Sequence, residues 1–426
     1  MAIDESKISY IQQKLQNSPI MARNKCAGRD GNLLHRRLVF DDLKAIIDGF
    51  IDRSNGDDRW ILMPGLRGTG KSTLLAQLYL HLTEDKGVAP VDVLFMSVDD
   101  IVEQLGSDIG DMLESYEAFT GERFESAKRP KIILLDETHF DEKWARTLKE
   151  LYERAPNVFL VVTGSSALAL QASPSVGADI ARRTRLITVT PLRFTEFLML
   201  KNGIVPAGLS VQIAGALLDS ENADEVKAKL DSIRAAVTDY SVRFTAAEVE
   251  KYLLNGSFPF SLNLDKEESF SRIVRITKEV LRRDIPIVKK FDLETLAKFP
   301  QLVTLLAAWE DVSIEKLRGA LDIKSTITVS DMVEALKKSE MIHVIPTHGG
   351  VRVSVTRPPR YALSATAIKA AFLWSVGKLI GTPDQLGKFF EDMFIQYFDV
   401  TAPRRAADIY RREGPGEADF VLQTPK

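Results

Sequence analysis

Short runs of uninterrupted apolar residues recur through the first half of the chain, each closed by a glycine, a proline or an acid. Trp60-Ile61-Leu62-Met63 stops at Pro64, and the stretch Val91-Asp92-Val93-Leu94-Phe95-Met96-Ser97-Val98-Asp99 ends in carboxylates. Lys131-Ile132-Ile133-Leu134-Leu135 ends in Asp136-Glu137, Val158–Val162 ends in Thr163-Gly164, and Leu186–Val189 is a shorter run. Apolar runs of this length without alternation predict strands buried on both faces. Between them the apolar positions fall at helical spacing, as in Leu43, Ile46, Ile47 and Phe50, in Leu74, Leu75, Leu78 and Leu82, and around 143–154. Strands alternating with helices predict an α/β fold, a parallel sheet with helices on both faces, over residues 35–195. An N-terminal arm, residues 1–34, precedes it with a helix over 8–18 and an irregular approach over 24–37.

After residue 195 the pattern turns helical. Residues 196–300 read as a helical lid region, with helices over 209–218 and 223–237. Within 269–283, Ile273, Ile276, Val280 and Leu281 share one side, while Arg272, Arg275, Arg282 and Arg283 share the other. That basic side is either a solvated face or a contact for a nucleic-acid backbone. Residues 301–362 carry a helix from Ser313, a turn near Asp322 and a helix over 328–338. A hairpin is then expected between 341–345 and 351–355, across His348-Gly349-Gly350. Helix, turn, helix and hairpin spell a winged helix, a module that contacts either protein or double-stranded DNA. Residues 363–426 add helices at 367–380 and from 386, then strands at 406–411 and 416–422.

Length and composition narrow the class. At 426 residues the chain is too long for one core. A formal net charge of −3 gives no global attraction to nucleic acid, so DNA contact would need a local patch. A single cysteine, Cys26, excludes an internal disulfide and fits a reducing compartment. No run reaches the ~18–20 apolar residues of a membrane span, and the polar N-terminus has no secretory core. Cytoplasm is the expected location, with no membrane partner.

The chemistry concentrates at the ends of the strands. Gly65-Leu66-Arg67-Gly68-Thr69-Gly70-Lys71-Ser72 reads G-x-x-x-x-G-K-S between a strand and a helix, the order a phosphate-binding loop requires. Glycines let backbone N–H groups turn toward a polyphosphate, and the helix N-terminus adds positive potential. Gly65 to Thr73 are expected to line the nucleotide, with Lys71 on the β- and γ-phosphates and Ser72 on Mg²⁺. Asp136 is expected to hold the same Mg²⁺, and Glu137 to orient and deprotonate the attacking water. Thr163, at the next strand tip, either positions that water or caps a following helix. Arg182, Arg183 and Arg185 precede the fifth strand; an arginine there either neutralises the γ-phosphate, in the same or a neighbouring subunit, or is surface charge.

This ordered set resembles a family of prokaryotic AAA-type ATPases. The resemblance runs through Met63-Pro64-Gly65, Gly70-Lys71-Ser72-Thr73, Phe95–Asp100, Leu134-Leu135-Asp136-Glu137 and Val162–Ser166. Pro191-Leu192-Arg193-Phe194-Thr195-Glu196-Phe197 is similar to the family's P-L-S-F-x-E-F segment, and Tyr252…Asn255-Gly256-Ser257-Phe258-Pro259 to its Y-x-x-x-G-G-F-P, with Ser257 in place of a glycine. The resemblance implies a P-loop ATPase fold, ATP rather than GTP, and Arg183 as the γ-phosphate arginine. It also implies a C-terminal module similar to PD-(D/E)xK nucleases. Glu391 matches the helix acid of that module, and Glu417-Ala418-Asp419-Phe420 its E-x-D-F strand. No E-x-K or Q-x-K strand follows, so the module is either cut short or degenerate, and cleavage is not expected. Two functions stay open: an ATP hydrolase, alone or as an oligomer, that drives or gates a DNA- or protein-binding appendage, and a nucleotide-controlled switch or DNA-binding regulator with little turnover.

Overall fold

The structure, a computed structural model, describes residues 5–28, 31–53, 58–165, 180, 182–206, 208–309, 311–348, 358–401, 408–412 and 418–423. The chain divides into two compact units, Met1–Thr190 and Pro191–Lys426.

The first unit is a five-stranded parallel sheet between layers of helix. Its strands are β1 (Trp60–Pro64), β2 (Val93–Ser97), β3 (Lys131–Asp136), β4 (Val158–Gly164) and β5 (Arg185–Leu186), in the spatial order β2-β3-β4-β1-β5. Alternate side chains leave each strand on opposite faces, and both faces are dry. Ile61, Met63, Phe95, Leu134 and Val161 pack with α2 (Val39–Ile51) and α3 (Lys71–Leu80). Leu62, Met96, Ile133, Leu135 and Val162 pack with α4 (Val98–Leu105), α5 (Ile109–Thr120) and α6 (Trp144–Arg154). Helix ends follow local chemistry: the Asp108 side chain accepts from Asp111 N–H to cap α5, and left-handed Gly121 ends it. β5 is short, but its ladder continues: Ile187 N–H donates to Leu62 O and Val189 N–H to Pro64 O.

The N-terminal arm is longer than its pattern predicts. It forms one helix, α1 (Glu5–Cys26), which takes in the first residues of the expected irregular approach. Ile11 and Leu15 of α1 join one sheet face, whereas Ala22 and Cys26 join the other. The helix therefore crosses the outer edge of β2, covering an otherwise open strand. Ion pairs from Lys7 to Asp111 (2.6 Å) and Arg23 to Glu84 (2.8 Å) fasten it.

In the second unit the two segments named by the resemblance meet each other. Tyr252, on α10 (Ala246–Asn255), donates its hydroxyl to Leu192 O (2.9 Å), and Leu192 N–H donates to Ser257 O (2.7 Å). Phe194 and Phe197 of α7 (Phe194–Asn202) pack edge-on or tilted against Tyr252. Gly256 has no room for a side chain: a Cβ would lie 2.6 Å from Tyr252 Cα and 2.9 Å from the Phe197 ring. Between α7 and α10 lie α8 (Leu209–Leu218) and α9 (Ala223–Ser241), and after α10 comes α11 (Lys266–Glu279). Beyond α12 (Leu293–Ala308), α13 (Ile314–Leu321) and α14 (Thr326–Lys338) are joined through left-handed Asp322. Ser313 and Ser325 cap them by accepting from the N–H groups of Lys316 and Thr328.

The expected hairpin partner, residues 351–355, falls outside the described residues. β6 (Ile342–Ile345) runs antiparallel to β7 (Arg360–Leu363). α15 (Thr366–Ser375) and α16 (Pro383–Thr401) follow, and β8 (Asp408–Arg412) pairs with β9 (Ala418–Gln423). Arg360 donates to Glu391 (2.6 Å) and Asp392 (3.0 Å), and Lys369 donates to Asp392 (2.6 Å). Glu391 is thus engaged by an arginine; Asp419 is exposed, and Glu417 lies outside the described residues.

Candidate nucleotide site at the carboxyl edge of the sheet

Strand order and register assemble the site. β4 stands between β1, which leads into the glycine loop, and β3, which ends in the acids. Ser97 pairs with Asp136, Leu135 with Val162, and Met63 with Thr163. Ser97, Asp136, Thr163 and the start of the loop therefore form one row across the carboxyl edge, where ligands of open α/β sheets bind.

The loop is built by close approach and by left-handed backbone. A Cβ on Gly65 would lie 2.3 Å from Val189 O, so only glycine fits behind the strand that passes there. Gly68 and Gly70 have φ of 85° and 94°, a region open to glycine at no steric cost. Gly70 caps α3, so the helix begins at the loop and its unpaired N–H groups face the concavity. Thr69 is fully buried and its hydroxyl donates to Leu66 O (2.9 Å). Lys71 is buried, with its ammonium donating to Gly65 O (2.7 Å) and Leu66 O (3.1 Å). Those carbonyls hold the cation at the mouth of the loop. Leu66 is buried, and Arg67, Ser72 and Thr73 are partly exposed.

The acids form a bonded group. Thr163, fully buried, donates its hydroxyl to Asp136 Oδ1 (2.5 Å) and accepts from Glu137 N–H (3.2 Å). One hydroxyl thus fixes both the carboxylate and the next peptide, and Thr138 donates back to Thr163 O (2.6 Å). Glu137 has left-handed backbone, φ 53°, an unusual state for a side-chain-bearing residue. Its Oε2 accepts no hydrogen bond and lies 3.4 Å from Nδ1 of buried His139. Burial pushes the Glu137 carboxyl above the ordinary range; Asp136 and Asp99 add to this, while Lys71 and Arg67 oppose it. Lys25 of α1 stands 3.9 Å from Asp136.

The arginines are elsewhere. Arg185 pairs with Ile61, near the beginning of β1, and its guanidinium reaches Asp58 (3.1 Å). Arg183 donates to Glu153 (2.9 Å), near the end of α6, and Arg182 is exposed. Arg183 therefore lies at the amino end of the strands, because the residues before a parallel strand lie at its amino end. At about 3.3 Å per residue, that end is roughly 15 Å from the loop. Arg183 is not brought to this subunit's own loop.

Sequence reasoning missed Lys25, His139 and Arg37. His139 had a signal in its place two residues after Glu137, but Lys25 and Arg37 are distant in sequence and meet the site only through folding. Among the described residues no cluster of three or more His, Cys, Asp or Glu side chains could hold a metal unaided. Ser72 and Asp136 offer hard oxygens, which suit a small cation that takes its other ligands from phosphate and water.

A parallel P-loop sheet followed by a helical region defines a nucleotide-binding protein of the AAA class. The sequence family described as "AAA domain" matches residues 57–198. An uncharacterized protein of Methanocaldococcus jannaschii, MJ1637, is 31% identical over 392 residues, covering 92% of this chain and 78% of that protein. The chain belongs to the AAA ATPase family. Among solved structures, the Aeropyrum pernix ORC2 protein in ADPNP and ADP complexes aligns at TM-score 0.41 and 10% identity, covering 87% of this chain and 100% of that one. The Aeropyrum pernix ORC1 protein in complex with DNA aligns at TM-score 0.31 and 16% identity, covering 82% and 95%. Alignments this loose carry no residue across. No helix among the described residues is long and apolar enough to cross a membrane.

Proposed function

We propose that this chain binds Mg·ATP at the carboxyl edge of the sheet and hydrolyses it. The observation that carries this reading is the row in which Thr163 bonds Asp136 and Glu137 beside the glycine loop. Lys71 would exchange its loop carbonyls for the β- and γ-phosphates. Ser72 and Asp136 would hold Mg²⁺, which supplies charge neutralisation on the phosphates. Glu137 would take the proton of the attacking water, and Thr163 would keep the two acids in register. Arg183, at the opposite end of the strands, would act on the nucleotide of a neighbouring copy. The test is Mg²⁺-dependent ATP turnover by the full chain. Loss of nucleotide binding in Lys71→Ala supports the site, and unchanged binding and turnover there removes it.

A second reading, a nucleotide switch with little turnover, draws on Glu137. Its burial favours the protonated form, which accepts no proton. Wild-type turnover that is negligible and no faster than in Glu137→Gln would establish that reading, whereas brisk turnover in both would not.

For the second unit we propose a helical region over 196–300, a winged helix over 301–362 and a C-terminal module over 363–426. Glu391 in that module is a structural ion-pair partner of Arg360. A protein partner suits the winged helix better than double-stranded DNA. The exposed side of α14 carries Ile327, Ser330, Glu334, Lys337 and Lys338, and Lys338 lies 3.7 Å from Glu334. A DNA-reading face needs a concentrated basic patch, and Lys337 and Lys338 against Glu334 leave this side only one net positive charge. On α11 and its continuation, Arg282 and Arg283 are both paired with Glu279. Binding of duplex DNA with a steep salt dependence would reverse this preference.

A further inference from the structure

We propose that Arg37 is the positioning residue of the phosphate loop, setting the direction of the backbone N–H groups that receive the nucleotide. The inference rests on the reading of that loop as the nucleotide site. Arg37 lies between α1 and α2, before the stretch that matches the AAA domain. Its side chain is buried, 7% exposed, and one nitrogen, Nη1, donates to two backbone carbonyls: Thr69 O at 2.8 Å and Thr190 O at 2.9 Å.

The two acceptors explain what the guanidinium does. Thr69 O belongs to the peptide that links Thr69 to Gly70. In a planar trans peptide the N–H points opposite to the C=O. A carbonyl drawn outward by Arg37 therefore turns the Gly70 N–H inward, toward the concavity where phosphate oxygens would sit. Gly70, whose φ is 94°, forms one side of this peptide, so the backbone itself does little to fix the peptide's direction there. The second acceptor, Thr190 O, follows Val189, whose carbonyl closes against Gly65 at the start of the loop. Arg37 thus fastens the loop's far end to the same strand that blocks its near end. A flexible glycine loop loses affinity to the cost of ordering, and a charge-assisted anchor removes part of that cost before the ligand arrives. Lys71 does not share this task. It bonds Gly65 O and Leu66 O, and is expected to leave them for phosphate.

The experiment measures binding of a fluorescent N-methylanthraniloyl-ADP to the full chain, with thermal melting of each variant in parallel. Arg37→Ala should raise the Kd at least about ten-fold, the size expected for losing a charged hydrogen bond. Guanidinium at millimolar concentration should restore much of the affinity in Arg37→Ala, and should restore none in Lys71→Ala. Arg37→Lys keeps the charge without the planar fork and should fall between. It carries the same comparison if the alanine variant does not fold. Three results overturn the proposal: a wild-type Kd in the folded variants, an affinity loss that guanidinium does not repair, or a loss that follows a lowered melting temperature alone. A wild-type chain that binds no nucleotide overturns the reading of the loop itself. A wild type that binds, with Lys71→Ala that does not, leaves that reading in place and isolates Arg37.

Discussion

At the scale of single residues, Glu137 joins three properties that the sequence showed only in part. Its place after Asp136 was legible, but its left-handed backbone and its burial were not, because both depend on how β3 ends against Thr163. A carboxyl raised by burial holds its proton more tightly in the folded chain than in the unfolded one. Between the ordinary glutamate value, about 4.3, and the raised value, stability therefore falls as pH rises. Glu137→Gln removes that penalty. It should melt above the wild type near neutral pH without nucleotide, and the gap should close toward about pH 4. The same variant should keep Mg·ATP while losing ~10²–10⁴-fold in turnover; equal turnover would place the base elsewhere. Thr163→Val keeps the shape of the side chain and deletes its hydroxyl. Asp136 then loses a 2.5 Å donor, and turnover or Mg²⁺ affinity should drop by about 10–100-fold. Thr163 was visible as a strand-tip hydroxyl. Arg37 gave no such signal, since its partners lie far along the chain and are backbone atoms.

Among the elements, the strands of the first unit follow the apolar runs closely, because a run buried on both faces has few other structures open to it. Spatial order was less legible. That β4 separates β1 from β3 is a property of topology, and it is what brings Thr163 between loop and acids. Gly65 shows how tightly that edge is built. Gly65→Ala places a methyl 2.3 Å from Val189 O, so either the loop or the strand behind it must move. Overpacking of this kind costs about 1–3 kcal/mol; the variant should melt several degrees lower and bind nucleotide weakly. Normal melting and binding would mean that Val189 yields freely. In the second unit, the segments carrying Phe194 and Tyr252 were legible, and the structure brings their rings edge to face. The pairing of β6 with 360–363 was not legible in the sequence. Arg360-Tyr361-Ala362-Leu363 shows no alternation and is buried throughout, and register is fixed by neighbours that a linear reading does not include.

For the molecule as a whole, the position of Arg183 carries most weight. It sits at the amino end of the strands with Glu153, while the loop and the acids sit at the carboxyl end. If Arg183 acts in trans, mixing Arg183→Ala chains with Lys71→Ala chains should restore activity, since some pairs would join an intact loop to an intact arginine. Such arginines are worth ~10³–10⁵-fold in turnover, so recovery would be plain. Mixtures no more active than either variant would leave Arg183 as a surface ion pair. A subunit with its donor at one end and its acceptor at the other has a polarity, and copies that join the two ends add in one direction only. Contact of this heterologous kind closes into a ring or runs on as a filament. A two-fold pair cannot substitute for it, because a self-complementary patch would have to contain both ends of the same strands. If Arg183 acts in trans, the terminal copy of an open string holds a nucleotide that no neighbour completes, so turnover per subunit climbs toward a limit as the string lengthens and reaches that limit when the string closes.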